Sequence, residues 1–308
     1  MPYVSLGDFR LYYETSGPAA SAAGRAPVVL LHGFTLDRRM WSETREFLAR
    51  EFPVIVPDAR GHGRSDAPAT GYSRADRVED LARFADRLGL ERFHLVGLSM
   101  GGSTALGYAL RDQARLVSLT LVSTSAAGWN IGRKMERAEE QGREIRRRAH
   151  QEQGEDFAAA AARGLAYVRE RWIEYGLRVY REDQRSIRDR LEQMMREYSG
   201  AAWLDERRGK YPSPGNDVER VHTITAPTLI VAGEKDTFTP MWLSVKMHAA
   251  IPGSELLVLP GGTHVGPLEH PELCALRIEK YFRDHFPEPA AGVRARPGRR
   301  RRDPGEPA

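Results

Sequence analysis

The chain has 308 residues, 41% of them hydrophobic, with a single cysteine and a formal net charge of +4. That is enough apolar material for one large α/β domain carrying an insertion. No apolar run reaches the roughly 18 residues of a membrane span, Cys274 alone can form neither an intrachain disulfide nor a cysteine-based zinc site, and Met1 to Ser5 do not open a secretory signal, so a cytoplasmic, reducing location is expected.

Residues 3–6 and 10–14 flank Gly7-Asp8 and read as an antiparallel hairpin. Residues 17–27 are rich in Ala, Gly, Ser and Pro and form a surface loop. Val28 to Leu31 is a continuous apolar run, the pattern of a buried strand, and ends in His32-Gly33-Phe34. Helical spacing follows from Trp41 to Leu48, and Pro53 to Val56 is the next strand. It empties into a turn-rich loop running from Pro57 to Asp66. Val78, Leu81, Ala82, Phe84, Ala85 and Leu88 have helix periodicity. Phe93 to Val96 is a strand, a helix runs to about Asp112, and Leu116 to Val122 is a strand. Strands alternating with helices predict a mostly parallel twisted sheet with helices on both faces.

The pattern changes from about residue 126 to 220. Strand runs vanish, and charged, alanine-rich stretches at 133–150, 155–172 and 186–198 read as amphipathic helices. This segment is expected to be a helical cap inserted into a core made of residues 1–125 and 221–286. The sheet pattern resumes at Thr228 to Ala232, with a helix over 240–250, a strand from Glu255 to Leu259 and a helix over 271–285. Residues 287–308 are rich in Pro, Gly and Arg and read as a disordered tail. Arg294, Arg296, Arg299, Arg300, Arg301 and Arg302 carry nearly all the positive excess. No aromatic residue is interleaved with them, so base stacking on nucleic acid is unsupported.

The chemistry concentrates at Gly97-Leu98-Ser99-Met100-Gly101, a G-x-S-x-G turn between a strand and a helix. A nucleophilic serine must stand proud of the backbone, which demands a sharp, strained turn. Side chains at 97 and 101 would then clash with what packs around it, and glycine has none. The helix that begins at Met100 points free N–H groups toward the reacting atom. A serine hydroxyl needs a base, and the base an orienting acid. His264 and Asp236 each follow a strand at the same sheet edge as Ser99, in the chain order Ser, Asp, His. Asp58, Asp217 and His270 are weaker competitors: Asp58 sits in another loop, Asp217 in the cap, and His270 immediately before Pro271 at a helix start, as a capping or surface residue.

These motifs resemble the α/β-hydrolase superfamily, in a serine-nucleophile form with a helical cap. The carriers are His32-Gly33-Phe34, the 58–65 loop, Gly97 to Gly102, Gly233 to Asp236 and Gly262-Thr263-His264. The resemblance implies an oxyanion hole formed by the backbone N–H groups of Phe34 and Met100. It makes the 58–66 loop structural, with Gly61 and Gly63 permitting tight bends, and His32 a support for its own loop. The expected activity is a serine hydrolase cleaving an ester or other acyl bond of a small or medium apolar substrate, carboxylesterase-like, with no cofactor and no metal. Phe34, Trp129, Trp172, Met194 and Trp203 are candidates to line the substrate pocket. Lactonase, carbon–carbon bond hydrolase, acyl transferase and perhydrolase chemistry stay open, as does a non-hydrolytic receptor on the same fold. The oligomeric state is not legible.

Overall fold

A computed structural model describes residues 2–19, 24–129, 165–177, 184–205 and 216–286. The predicted helix over 133–150, most of that over 155–172, and the 287–308 tail lie outside the described residues.

Among the described residues eight strands form one sheet. They are β1 (Tyr3–Ser5), β2 (Arg10–Ser16), β3 (Val28–Leu31), β4 (Val54–Pro57), β5 (Phe93–Leu98), β6 (Leu116–Val122), β7 (Thr228–Gly233) and β8 (Glu255–Leu259), in the order β1-β2-β4-β3-β5-β6-β7-β8. β1 and β2 pair antiparallel as the expected hairpin, β2 pairs antiparallel with β4, and every pair from β4 through β3 to β8 is parallel. β4 to β7 are buried along their whole length, which is why they read as continuous apolar runs rather than as alternation.

Helices α1 (Ser42–Leu48), α2 (Arg74–Arg87), α3 (Met100–Asp112), α7 (Met241–Ala250) and α9 (Pro271–His285) flank the sheet, and a short α8 (Gly266–Glu269) precedes α9. α2 starts earlier than its apolar periodicity suggests. Ser73 caps it, its side chain accepting the N–H of Asp76 while Asp76 reaches back to the Ser73 N–H. Between β6 and β7 the described chain holds α4 (Leu165–Leu177), α5 (Arg185–Glu197) and α6 (Ala201–Leu204). Their apolar residues Ile173, Leu191, Met194 and Met195 belong to the same buried cluster as Met40, Trp41 and Val122. Among the described residues no helix is long and apolar enough to cross a membrane.

The two faces of the sheet bury separate apolar clusters, one containing Val96 and Phe282, the other Leu95 and Tyr108. His94 sits in β5 with its ring stacked on Phe282 at 3.9 Å and its Nδ1 2.8 Å from the Ser118 hydroxyl. Burial pushes its imidazole down to about 3. The unfolded chain takes up that proton near pH ~6.5, so acid favours unfolding from there down to about pH 3. Stability should therefore fall by about 2 kcal/mol between pH ~6.5 and ~5 from this residue alone. Urea titrations at the two pH values check this; His94→Gln should flatten that part of the slope, and an unchanged slope would refute the assignment.

Candidate active site

The strand-to-helix turn between β5 and α3 is built as the chemistry requires. Ser99 has φ 52° and ψ −109°, a conformation that costs a non-glycine residue of order 1–3 kcal/mol. The turn is held by the Ser99 N–H donating to Val122 O at 3.0 Å and by Ser103 N–H and the Thr124 hydroxyl donating to Ser99 O at 2.8 and 3.0 Å. A Cβ on Gly97 would lie 2.4 Å from Gly101 O, and one on Gly101 2.5 Å from Leu31 O. These glycines are required by close backbone approach, not by their own dihedrals.

The loop after β3 approaches from the side. A Cβ on Gly33 would stand 3.8 Å from the Ser99 Cβ, so the peptide that precedes Phe34 borders the serine. Thr35 is strained at φ 60° and is held by its N–H donating to His62 Nε2 at 3.3 Å and by the Trp172 indole donating to its hydroxyl at 2.8 Å. His32 accepts the Ala59 N–H at Nε2 (2.9 Å) and lies 2.8 Å from Gly33 O at Nδ1, which makes it a loop support, as expected. His62 is buried, and desolvation drives its imidazole far toward the neutral form. Asp58 takes the backbone N–H groups of Arg38 and Arg64, and Arg60 makes a two-pronged pair with Asp80 at 2.5 and 2.6 Å. The 58–66 loop is thus braced on both sides of Gly61 and Gly63, both at positive φ. The N–H groups of Phe34 and Met100 donate to no described group.

Asp236 and His264 meet directly. Imidazole Nδ1 lies 2.9 Å from Asp236 Oδ2, and both residues are buried. Asp236 Oδ1 accepts the N–H groups of Phe238 (2.9 Å) and Thr239 (2.8 Å), so the carboxylate is fixed by the loop that follows β7. With an ionised carboxylate at Nδ1, that nitrogen carries the proton and Nε2 is left as the basic one. The Ser99 hydroxyl makes no hydrogen bond to His264 or to any other described residue. Such bonds are commonly long before substrate arrives. Ser99 shares a cavity of ≈ 490 Å³ with Phe34, Met100, Ser123 and Thr239, the last being the residue whose N–H holds Asp236. His270 makes no capping bond with its side chain, and its Nε2 is buried without a partner among the described residues.

The pocket candidates divide. The Phe34 ring packs edge-on against Trp172 (5.5 Å), Trp203 (6.0 Å) and Tyr198 (5.6 Å). Of the five candidates only Phe34 borders the cavity that holds Ser99; Met194 is buried with the 191 and 195 positions of amphipathic α5 in the cluster that contains Met40 and Trp41, against which Trp172 also packs. Trp129 does not join the Phe34 cluster either, because the chain leaving β6 turns it onto the other apolar cluster, the one with Tyr108, Leu121 and Ile224. Sequence reasoning missed Phe238, whose ring lies 5.1 Å from the His264 ring and 5.3 Å from Tyr175 of α4. It also missed Arg77. Arg77 falls on the 77, 81, 84 row of α2 whose later members are buried, and a charge on that row is the signal that was available. It borders the cavity that holds Ser99.

The matches to known proteins agree with this architecture. Residues 26–271 match the family model for the alpha/beta hydrolase fold. The chain belongs to the α/β-hydrolase fold family. A thermophilic esterase from Thermogutta terrifontis, solved with malate bound, is 28% identical with a TM-score of 0.71, over 92% of this chain and 96% of that one. An N-acyl homoserine lactone degrading enzyme is 26% identical with a TM-score of 0.68, over 91% and 99%. A 2-hydroxy-6-oxononadienedioate/2-hydroxy-6-oxononatrienedioate hydrolase from Paraburkholderia phymatum is 26% identical over 270 residues, 86% of this chain and 88% of that protein. These similar proteins are named for different substrates, so the family supports hydrolysis in general and leaves the bond to be argued from the site.

Proposed function

We propose that the protein is a serine hydrolase that cleaves an acyl bond through Ser99, His264 and Asp236. The observation that carries this reading is the strained Ser99 turn, standing at the same sheet edge as the Asp236–His264 pair. His264 Nε2 takes the Ser99 proton as Oγ bonds to the acyl carbon. Asp236 holds the ring and stabilises the imidazolium. The N–H groups of Phe34 and Met100 receive the oxyanion, a contribution of about 3–4 kcal/mol for each donor. The carbon–oxygen bond to the leaving group then breaks as His264 returns its proton to that oxygen. Water, deprotonated by His264, attacks the acyl-enzyme and frees Ser99.

The described helices between β6 and β7 act in this reading as a cap. Trp172, Tyr198 and Trp203 form with Phe34 an apolar wall suited to a small or medium acyl group. The wall is aromatic, and Phe34 supplies both a wall ring and an oxyanion donor. Incubation with a fluorophosphonate probe, followed by peptide mapping, is expected to place the label on Ser99, and a short 4-nitrophenyl ester should be turned over. Label elsewhere would remove Ser99 as nucleophile. Labelling with no turnover on any ester or lactone would favour a non-hydrolytic receptor.

A further inference from the structure

We propose that Arg77 selects substrates bearing a carboxylate, so that the site hydrolyses half-esters of dicarboxylic acids in preference to their neutral analogues. This rests on the hydrolase reading above. Arg77 projects from α2 to the cavity that contains Ser99, Ser103, Ser123 and Thr239. Two of its donors are used: Nε bonds the Thr104 hydroxyl at 3.2 Å and Nη1 the Tyr72 carbonyl at 2.9 Å. Both acceptors are neutral. Nη2 has no hydrogen bond, and Arg77 has no ion pair among the described residues. The nearby acids are engaged elsewhere: Asp76 caps α2 and Asp80 is paired with Arg60. The neighbouring Arg74 is paired with Asp217 at 2.7 Å.

The result is a guanidinium tied at two corners, bordering the cavity that also holds the nucleophile, with Asp76 and Asp80 near it but no carboxylate bonded to it among the described residues. Desolvation, followed by repulsion from Arg74, lowers its proton affinity to about 10, which still leaves it charged at neutral pH. A half-buried guanidinium bonded only to neutral acceptors is costly, and a directly bonded carboxylate relieves it. The cavity wall supports the same reading. Among the described residues the Ser123 hydroxyl is buried with no partner, at a residue held at φ 45° just after β6, so a further donor there has no described acceptor. Among the described lining residues a single guanidinium stands with neutral hydroxyls, which matches a monoanionic carboxylate better than a phosphate dianion.

The test compares 4-nitrophenyl hydrogen adipate with its methyl-capped ester, reading nitrophenolate release from both. Wild-type protein should have the higher kcat/KM on the free acid. In Arg77→Gln the ratio of the two kcat/KM values should fall roughly 10- to 150-fold, the loss expected for a hydrogen bond to a charged group, and should do so chiefly through KM. Arg77→Lys should recover part of it. An unchanged ratio in Arg77→Gln overturns the proposal. Because a ratio is read, a general loss of folded protein cancels. If Arg77→Gln does not fold, wild-type protein decides: adipate should inhibit turnover of the capped ester competitively, and absence of inhibition overturns the idea. Calorimetric titration of adipate into Ser99→Ala and into the Ser99→Ala, Arg77→Gln double variant separates the two readings. Arg77-dependent adipate binding without turnover of either ester retains the anion site and rejects the hydrolase; turnover with an unchanged ratio does the reverse.

Discussion

Ser99→Ala is expected to lower kcat on a 4-nitrophenyl ester by about 10⁶-fold while the protein stays folded. The size follows from the way the three side chains act as a unit. Without Oγ there is no bond to the acyl carbon, so a base at His264 and donors at Phe34 and Met100 have no covalent step to assist. What survives is positioning and oxyanion stabilisation of direct water attack, about 10³–10⁴ over the uncatalysed reaction. The fold should be indifferent. The hydroxyl makes no hydrogen bond among the described residues, and alanine accepts the turn no better and no worse than serine, since both carry a Cβ at φ 52°. Steady-state assays with circular dichroism on the same preparation check both halves. Activity within about 100-fold of wild type would place the nucleophile elsewhere.

Asp236→Asn should cost about 10⁴ in kcat, by analogy with the same exchange in a serine protease triad. Asparagine keeps the oxygen that accepts the Phe238 and Thr239 N–H groups at 2.9 and 2.8 Å, so the loop after β7 should hold its shape. It replaces the other oxygen, Oδ2, by an NH₂ group facing His264 Nδ1. That NH₂ donates. The imidazole must then accept at Nδ1 and carry its proton on Nε2, where a base is needed. The tautomer is wrong although the geometry is intact, and the imidazolium that forms during attack has lost its counter-charge. Stopped-flow measurement of the acylation burst should show the loss in acylation itself. A fall of less than about tenfold would mean that another acid orients His264.

These two expectations use residues legible in the chain as text. Gly97 and Gly101 announce themselves because only glycine survives a backbone carbonyl within 2.5 Å of its would-be Cβ. The apolar runs of β3 to β7 announce a covered parallel sheet for the same reason of packing. Once the sheet is parallel, its strands deliver their C-terminal loops to one edge, and the pairing of Asp236 with His264 across 28 residues follows from topology. The proposed substrate wall is only half legible. Trp172 and Trp203 reach Phe34, but Trp129 and Met194, chosen on the same ground of bulk and apolarity, are spent on cores. Periodicity says which face of α5 is buried and not against what.

The buried strand runs and the glycine-bracketed turn at Ser99 are determined by local sequence, because each depends on backbone sterics and on a hydrophobic pattern within a few residues, whereas the order of the strands and the meeting of Asp236 with His264 belong to the assembled sheet. The company kept by Arg77, Phe238 and Tyr198 was decided only in three dimensions. Whether a charge or a ring faces solvent, core or cavity depends on which distant element packs over it. No spacing along the chain encodes that contact; it is set by how α2, the loop after β7 and the helices between β6 and β7 are brought to the region of Ser99.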